Sequence, residues 1–182
     1  MRAMVITLAL SAAVSASVKG WFLSGSGHEA SEYETGLDRD VAHSGRASAY
    51  LKSIVQKPSE AALLQMISAE RYRGKRVRIS IWIRTDHVEA MAAIGARVES
   101  ADGRGIFAYG REELKGTNDW QRREVVLDVD PAAARLVIGM GLWGTGQSWI
   151  DDVNVDIVDR SVPTTDRLPR YPVAPSNLDF ED

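Results

Sequence analysis

From residue 20 onward, apolar side chains recur at every second position. "VRISIWIR" places Val77, Ile79, Ile81 and Ile83 on one face and Arg78, Ser80, Trp82 and Arg84 on the other, the alternation of a half-buried β-strand. "EVVLDV" sets Val125, Leu127 and Val129 against Glu124, Val126 and Asp128. "RLVIGMGLW" groups Leu136, Ile138, Met140 and Leu142 opposite Val137, Gly139, Gly141 and Trp143. Further strands are expected at Tyr33–Asp38, Ala47–Ser53, Leu63–Ser68, Ala93–Ser100 and Gly105–Tyr109. Turn-forming stretches separate them: "HSGR", "RYRGKR", "SADGRG", "LKGTND", "DVDP" and "GTGQ". Only "SEAALLQM" and the short "HVEAMAAI" have a competing helical look. Strands at such spacing, without α/β alternation, predict an all-β antiparallel sandwich.

The last strand, "QSWIDDVNVDIV" (Gln147–Val158), raises a problem. Strict alternation puts Trp149, Asp151, Val153, Val155 and Ile157 on the core face, which buries a carboxylate at a cost. After Asp159 the pattern ends. Pro163, Pro169, Pro172 and Pro175 mark residues 160–182 as an extended tail. At the other end, Met1-Arg2, the apolar run Val5–Val14 and "VSA" read as a signal peptide over residues 1–16, which predicts a secreted or periplasmic protein. The alternative is that this run opens the domain, leaving the protein in the cytoplasm. It is shorter than the ~20 apolar residues that a membrane-spanning helix needs, so no membrane insertion of the mature chain is expected.

Composition adds exclusions. The 182 residues suit one domain of about 20–159 plus the tail. The net charge of −3, with Lys and Arg scattered, gives no footprint for nucleic acid. With no cysteine, disulfides, thiolate catalysis and Cys-ligated zinc are excluded. His28, His43 and His87 lie in turn-like segments without metal-ligand spacing, and Glu112-Glu113 reads as a solvated charge run. "GMGLWG" matches the dinucleotide fingerprint literally, but a strand follows where that fingerprint needs a helix.

Taken in order, "GWFLSGS", "YETGLDRDVAHSGRASAYLKS", "LLQMISAERYRGKRVRISIWIRT", "KGTNDWQRREVVLDV" and "GTGQSWIDDVNVDIVD" resemble a bacterial family of carbohydrate-binding-module-like jelly rolls. These have the galactose-binding-domain-like fold, and members often carry loose labels as transcriptional regulators. The resemblance spans about Gly20 to Asp159 and implies an antiparallel jelly roll. It also implies that one Asp of the "DDV" pair helps hold a structural calcium or pairs with an internal cation, beside an N-x-x-F-E segment. Here the look-alike "NLDFE" is at the C-terminus, so the tail is expected to fold back beside the last strand as an edge strand. Asp151, Asp152, Asn177, Asp179 and Glu181 are the candidate calcium ligands.

The outward faces of the strands offer the ligand candidates: Trp82 with Arg78 and Arg84, Arg97 and Glu99 beside Gly95, and Trp143 beside Gly139 and Gly141. If these strands are neighbours, the glycines leave a trough walled by tryptophan. Aromatic rings pack on sugar faces while Arg and Glu grip hydroxyls. Trp21, Trp120 and Trp149 are expected to be structural. In the family a tryptophan is common at Gly95, a tyrosine at Trp82, a small residue at Trp143, and polar residues near Phe107 and Ala108, so the aromatic surface is redistributed here. The expected function is a non-catalytic binding module for a glycan or similar hydroxylated molecule. Two alternatives stand beside it: a cyclase or isomerase using Asp151 or Glu99 as a buried acid, and an effector-binding or interaction module of a regulatory system.

Overall fold

The computed structural model describes residues 18–25, 29–102, 105–110 and 112–165. Nine strands follow in order: β1 Phe22–Ser24, β2 Tyr33–Asp38, β3 Ser48–Ser53, β4 Glu60–Ser68, β5 Arg76–Ser100, β6 Gly105–Tyr109, β7 Leu114–Asp128, β8 Ala133–Trp143 and β9 Gln147–Val158. All pairings are antiparallel, and the chain is an all-β jelly roll.

The architecture turns on β5. Its first half pairs with β9 and β7, and its second half with β8 and β6. One layer therefore runs β2-β3-β9-β5-β7 and the other β1-β4-β8-β5-β6, with β5 common to both. The inward faces of both halves, from Val77 to Ile83 and from Ala92 to Val98, join one hydrophobic core with Leu63, Val125, Leu136, Ile138, Met140, Leu142 and Ile150. Sequence alternation predicted two separate strands here and a helical look at "HVEAMAAI". The chain instead stays extended and bends, with register shifts against β7 between Ile83 and Ala92 and His87 at φ 49. "SEAALLQM" is likewise strand, and β7 begins ten residues before "EVVLDV", inside the expected turn.

A β-bulge in β9 resolves the misplaced carboxylate. Trp82 pairs with Asp151, but Ser80 pairs with Asn154, so two residues of β9 oppose Ile81 alone. Asp152 takes φ 47 to make the extra step. The alternation slips by one. Val153 and Val155 pack on the core, whereas Trp149 and Asp151 share the outward face with Arg84 and Trp82. The expected core-face position of Asp151 is thus overturned.

Thr165 lies along the edge of β7, donating its N–H to the Val126 carbonyl at 2.8 Å. The described start of the tail therefore docks on β7. Residues 166–182, with the "NLDFE" segment expected beside the last strand, and residues 1–16, expected as a signal peptide, lie outside the described residues.

Candidate functional site

The outward face of the layer β1-β4-β8-β5 forms a groove of about 470 Å³. Strand register orders its rungs: Glu60–Trp143–Met91, Ala62–Gly141–Ala93, Leu64–Gly139–Gly95, Met66–Val137–Arg97 and Ser68–Arg135–Glu99. Phe22 of β1 stands beside Leu64. Gly139 and Gly95 face each other without side chains and form the floor. A Cβ on Gly139 would sit 2.0 Å from the Leu63 carbonyl oxygen, so the close approach of β4 and β8 admits only glycine. A Cβ on Gly141 would meet the Trp143 ring at 2.5 Å, so that indole lies across its own strand at the groove's edge. Phe22 and Met66, 41% and 43% exposed, give the walls apolar surface.

Charge enters at the far rungs. Glu99 is only 5% exposed and lies between two guanidiniums. Arg97 Nη2 contacts its Oε1, while Arg135 reaches Oε2 from Nη2 and Nε at 3.0 and 3.1 Å. A buried carboxylate must be paired in this way, because an uncompensated one is strongly disfavoured.

The outward face of the other layer is differently finished. The loop between β2 and β3 folds over it and lays the His43 ring on Trp82, with centroids 3.8 Å apart and planes 17° from parallel. Trp120 meets His43 edge-on at 5.7 Å. Both aspartates of the bulge hold this loop. Asp151 Oδ2 accepts the N–H groups of His43 and Ser44 at 2.9 and 3.1 Å, and its Oδ1 accepts the Asp152 N–H at 2.8 Å. Asp152 receives the Ser44 hydroxyl at 2.8 Å and contacts His43 Nδ1 at 2.7 Å. The His43 contact, and then the Ser44 hydroxyl, hold the Asp152 carboxyl below its ordinary range. Trp149 donates its Nε1–H to Asp38 at 2.9 Å, and Arg84 sits 5.8 Å over its ring. Burial works to raise the Asp38 carboxyl, but the bonds from Trp149 and the amides of Asp40 and Val41 outweigh it. Arg78 lies between Glu124 and Asp156, 3.8 Å from each.

The sequence-predicted residues therefore divide. Arg97, Glu99 and Trp143 come together around the glycine trough, while Trp82, Arg78 and Arg84 lie on the opposite face. There His43 covers the ring of Trp82 that was expected to be open. Asp151 and Asp152 face N–H and O–H donors, which complement an anion and leave few bare oxygens for a cation. Among the described residues no group of three or more His, Asp or Glu could hold a metal ion. Asn177, Asp179 and Glu181 lie outside the described residues. Asp151 is held by three amides, and Glu99, at one end of the groove, lies between two guanidiniums, so each of the two acids named for the cyclase alternative faces N–H donors. Phe22, Leu64 and Met66 were missed, although "AALLQMI" is apolar on both faces, a sign that its outer face also meets something. His43 and Ser44 were missed because a turn histidine is usually just solvated.

No family model matches the chain. It is 40% identical over 171 residues, 91% of its length, to the Bacillus subtilis HTH-type transcriptional regulator YbfP. The chain spans 57% of that relative. The xylan-binding CBM22-2 domain of Paenibacillus barcinonensis Xyn10C superposes with a TM-score of 0.61 at 15% identity, covering 78% of this chain and 94% of that one. The fold is the jelly roll of carbohydrate-binding modules. The C-terminal family 22 module of Clostridium thermocellum Xyn10B shares this jelly roll with a TM-score of 0.55 at 13% identity, covering 78% and 87%. TmCBM61, solved with β-1,4-galactotriose, does so at 0.52 and 15%, covering 77% and 90%.

Proposed function

We propose that this jelly roll is a non-catalytic binding module for a glycan or similar hydroxylated molecule, held in the groove over β4, β8 and β5. The observation that carries the reading is the side-chain-free pair Gly139 and Gly95, edged by the Trp143 indole on one side and Arg97 with Glu99 on the other. A sugar ring fits such a strip with its apolar face on the indole and its hydroxyls toward the charged rung. The fold neighbours named as xylan-binding support the class of ligand. Tryptophan fluorescence titrated with a panel of oligosaccharides tests it. Trp143→Ala is expected to abolish a saturable shift while the protein stays folded, and Trp82→Ala to leave binding in place. A response lost only in Trp82→Ala would move the site to the other face.

A second reading rests on the relative's name and length. If YbfP joins this jelly roll to a helix-turn-helix unit, the same groove serves a regulator as a sensor, inside the cell. A sensor is expected to bind a mono- or disaccharide as tightly as a polymer. A module that anchors a protein to a polysaccharide outside the cell gains affinity with chain length.

A further inference from the structure

The charged side chains that line the groove are not equally open to a ligand. Glu99 and Arg97 are bonded to each other, and Glu99 is bonded to Arg135 as well. Glu60 is different. It opens β4, and alternation puts it on the groove face with Ala62, Leu64 and Met66, a charge at the head of an apolar row. The residue is exposed, and among the described residues its carboxylate accepts no hydrogen bond and forms no ion pair. Trp143 stands opposite it in register on β8 and lines the same end of the groove. The indole of Trp143 lies over Gly141, beside Ala62 and Ala93, where small side chains leave room above the sheet. A pyranose stacked on that indole brings its substituents toward Glu60, one strand and about 5 Å away. An ionised carboxylate only accepts hydrogen bonds, and the face of an indole is negative. A sugar hydroxyl, donor and acceptor at once, is served by this pair in part. An ammonium, all donor and positively charged, is served in full.

We propose that the ligand is an amino sugar with a free amine, its ring on the Trp143 indole and its ammonium facing Glu60. This deepens the glycan reading above and rests on it. The test uses the full chain and three β-1,4-linked probes that differ in one substituent: a glucosamine oligosaccharide with an ammonium, its N-acetylated form with an acetamide, and a cello-oligosaccharide with a hydroxyl. Each is titrated calorimetrically at low and at high salt. The glucosamine probe is expected to bind about fivefold tighter than either neutral one at low salt, with the margin shrinking as salt screens the charges. Glu60→Gln, an exposed and nearly isosteric change whose folding circular dichroism checks, is expected to bring the glucosamine probe down to the level of the cello-oligosaccharide. A neutral probe that binds as tightly as glucosamine, or a margin that survives Glu60→Gln, overturns the assignment while the glycan reading stands. No binding by any of the three overturns both.

Discussion

Replacing Asp151 by alanine removes the acceptor of three amides at once. Two belong to the loop, His43 and Ser44, and the third to Asp152 in the bulge itself. Hydrogen bonds to a charged acceptor contribute about 1.5–3 kcal/mol each when both partners are dry. Ser44 and Asp152 border on solvent and the His43 bond is only part-buried, so water takes back part of this, leaving about 1 kcal/mol for each of the three. The sum, roughly 3 kcal/mol, lowers Tm by about 6–12 °C in a domain of this size. Freed from Asp151, the loop also stops holding His43 on Trp82, and the near-ultraviolet circular dichroism of the tryptophans should weaken. Urea unfolding and that spectrum measure the two effects on one sample. Asp151→Asn, which keeps one acceptor oxygen, should fall between. A loss below about 0.5 kcal/mol with an unchanged spectrum would refute the reasoning, because a carboxylate that anchors the loop cannot be removed at the cost of an ordinary surface change.

Gly139→Ala drives a Cβ to 2.0 Å from the Leu63 carbonyl oxygen and forces β4 from β8, which should cost on the order of 3 kcal/mol or more in urea unfolding. His43→Ala removes the stack on Trp82 at about 0.5–1.5 kcal/mol and should raise the rate of proteolysis within the β2–β3 loop. Acid should destabilise the fold through its depressed carboxyls. Asp152 is lowered by its bonds to His43 and Ser44, and Asp128 by its bond to Arg76. Because their folded pKa values lie below the unfolded value of about 3.9, their contribution is present above that pH. It is lost as pH falls through the folded values, so Asp152→Asn should flatten the decline of Tm below about pH 4.

Alternation made the core legible. Val77 to Ile83 and Leu136 to Leu142 face inward as written, since one face of each must leave water. The continuity of β5 was hidden because Asp86, His87 and Glu89 break the period where the strand bends between layers. The bulge was hidden as well, since nothing in "DDV" alone says that Asp152 will adopt a left-handed conformation. Yet that single residue decides which face Trp149 and Asp151 take. The glycine trough was legible up to a condition, that the strands bearing Gly95 and Gly139 be neighbours, which only register supplies. The covering of Trp82 depended on contacts between residues more than a hundred positions apart, beyond the reach of any local pattern.

The two outward faces also differ in how far the chain completes them. On one, Trp82 is covered by His43, Trp149 is held by Asp38 and Arg84, and Arg78 lies between two carboxylates. On the other, Phe22 and Met66 leave apolar surface in water along the groove, where its removal by a ligand is favourable by ~25 cal/mol per Å². If β5 is a rigid spine between them, the faces are energetically separate although Trp82 and Arg97 share a strand. His43→Ala and Trp143→Ala touch no common residue among the contacts above, so their effects on stability should add to within about 0.5 kcal/mol. A double-mutant cycle by urea unfolding measures this. A larger interaction energy would mean that the bend at Thr85–Met91 transmits strain from one face to the other, and ligand in the groove would then be felt at the His43 loop.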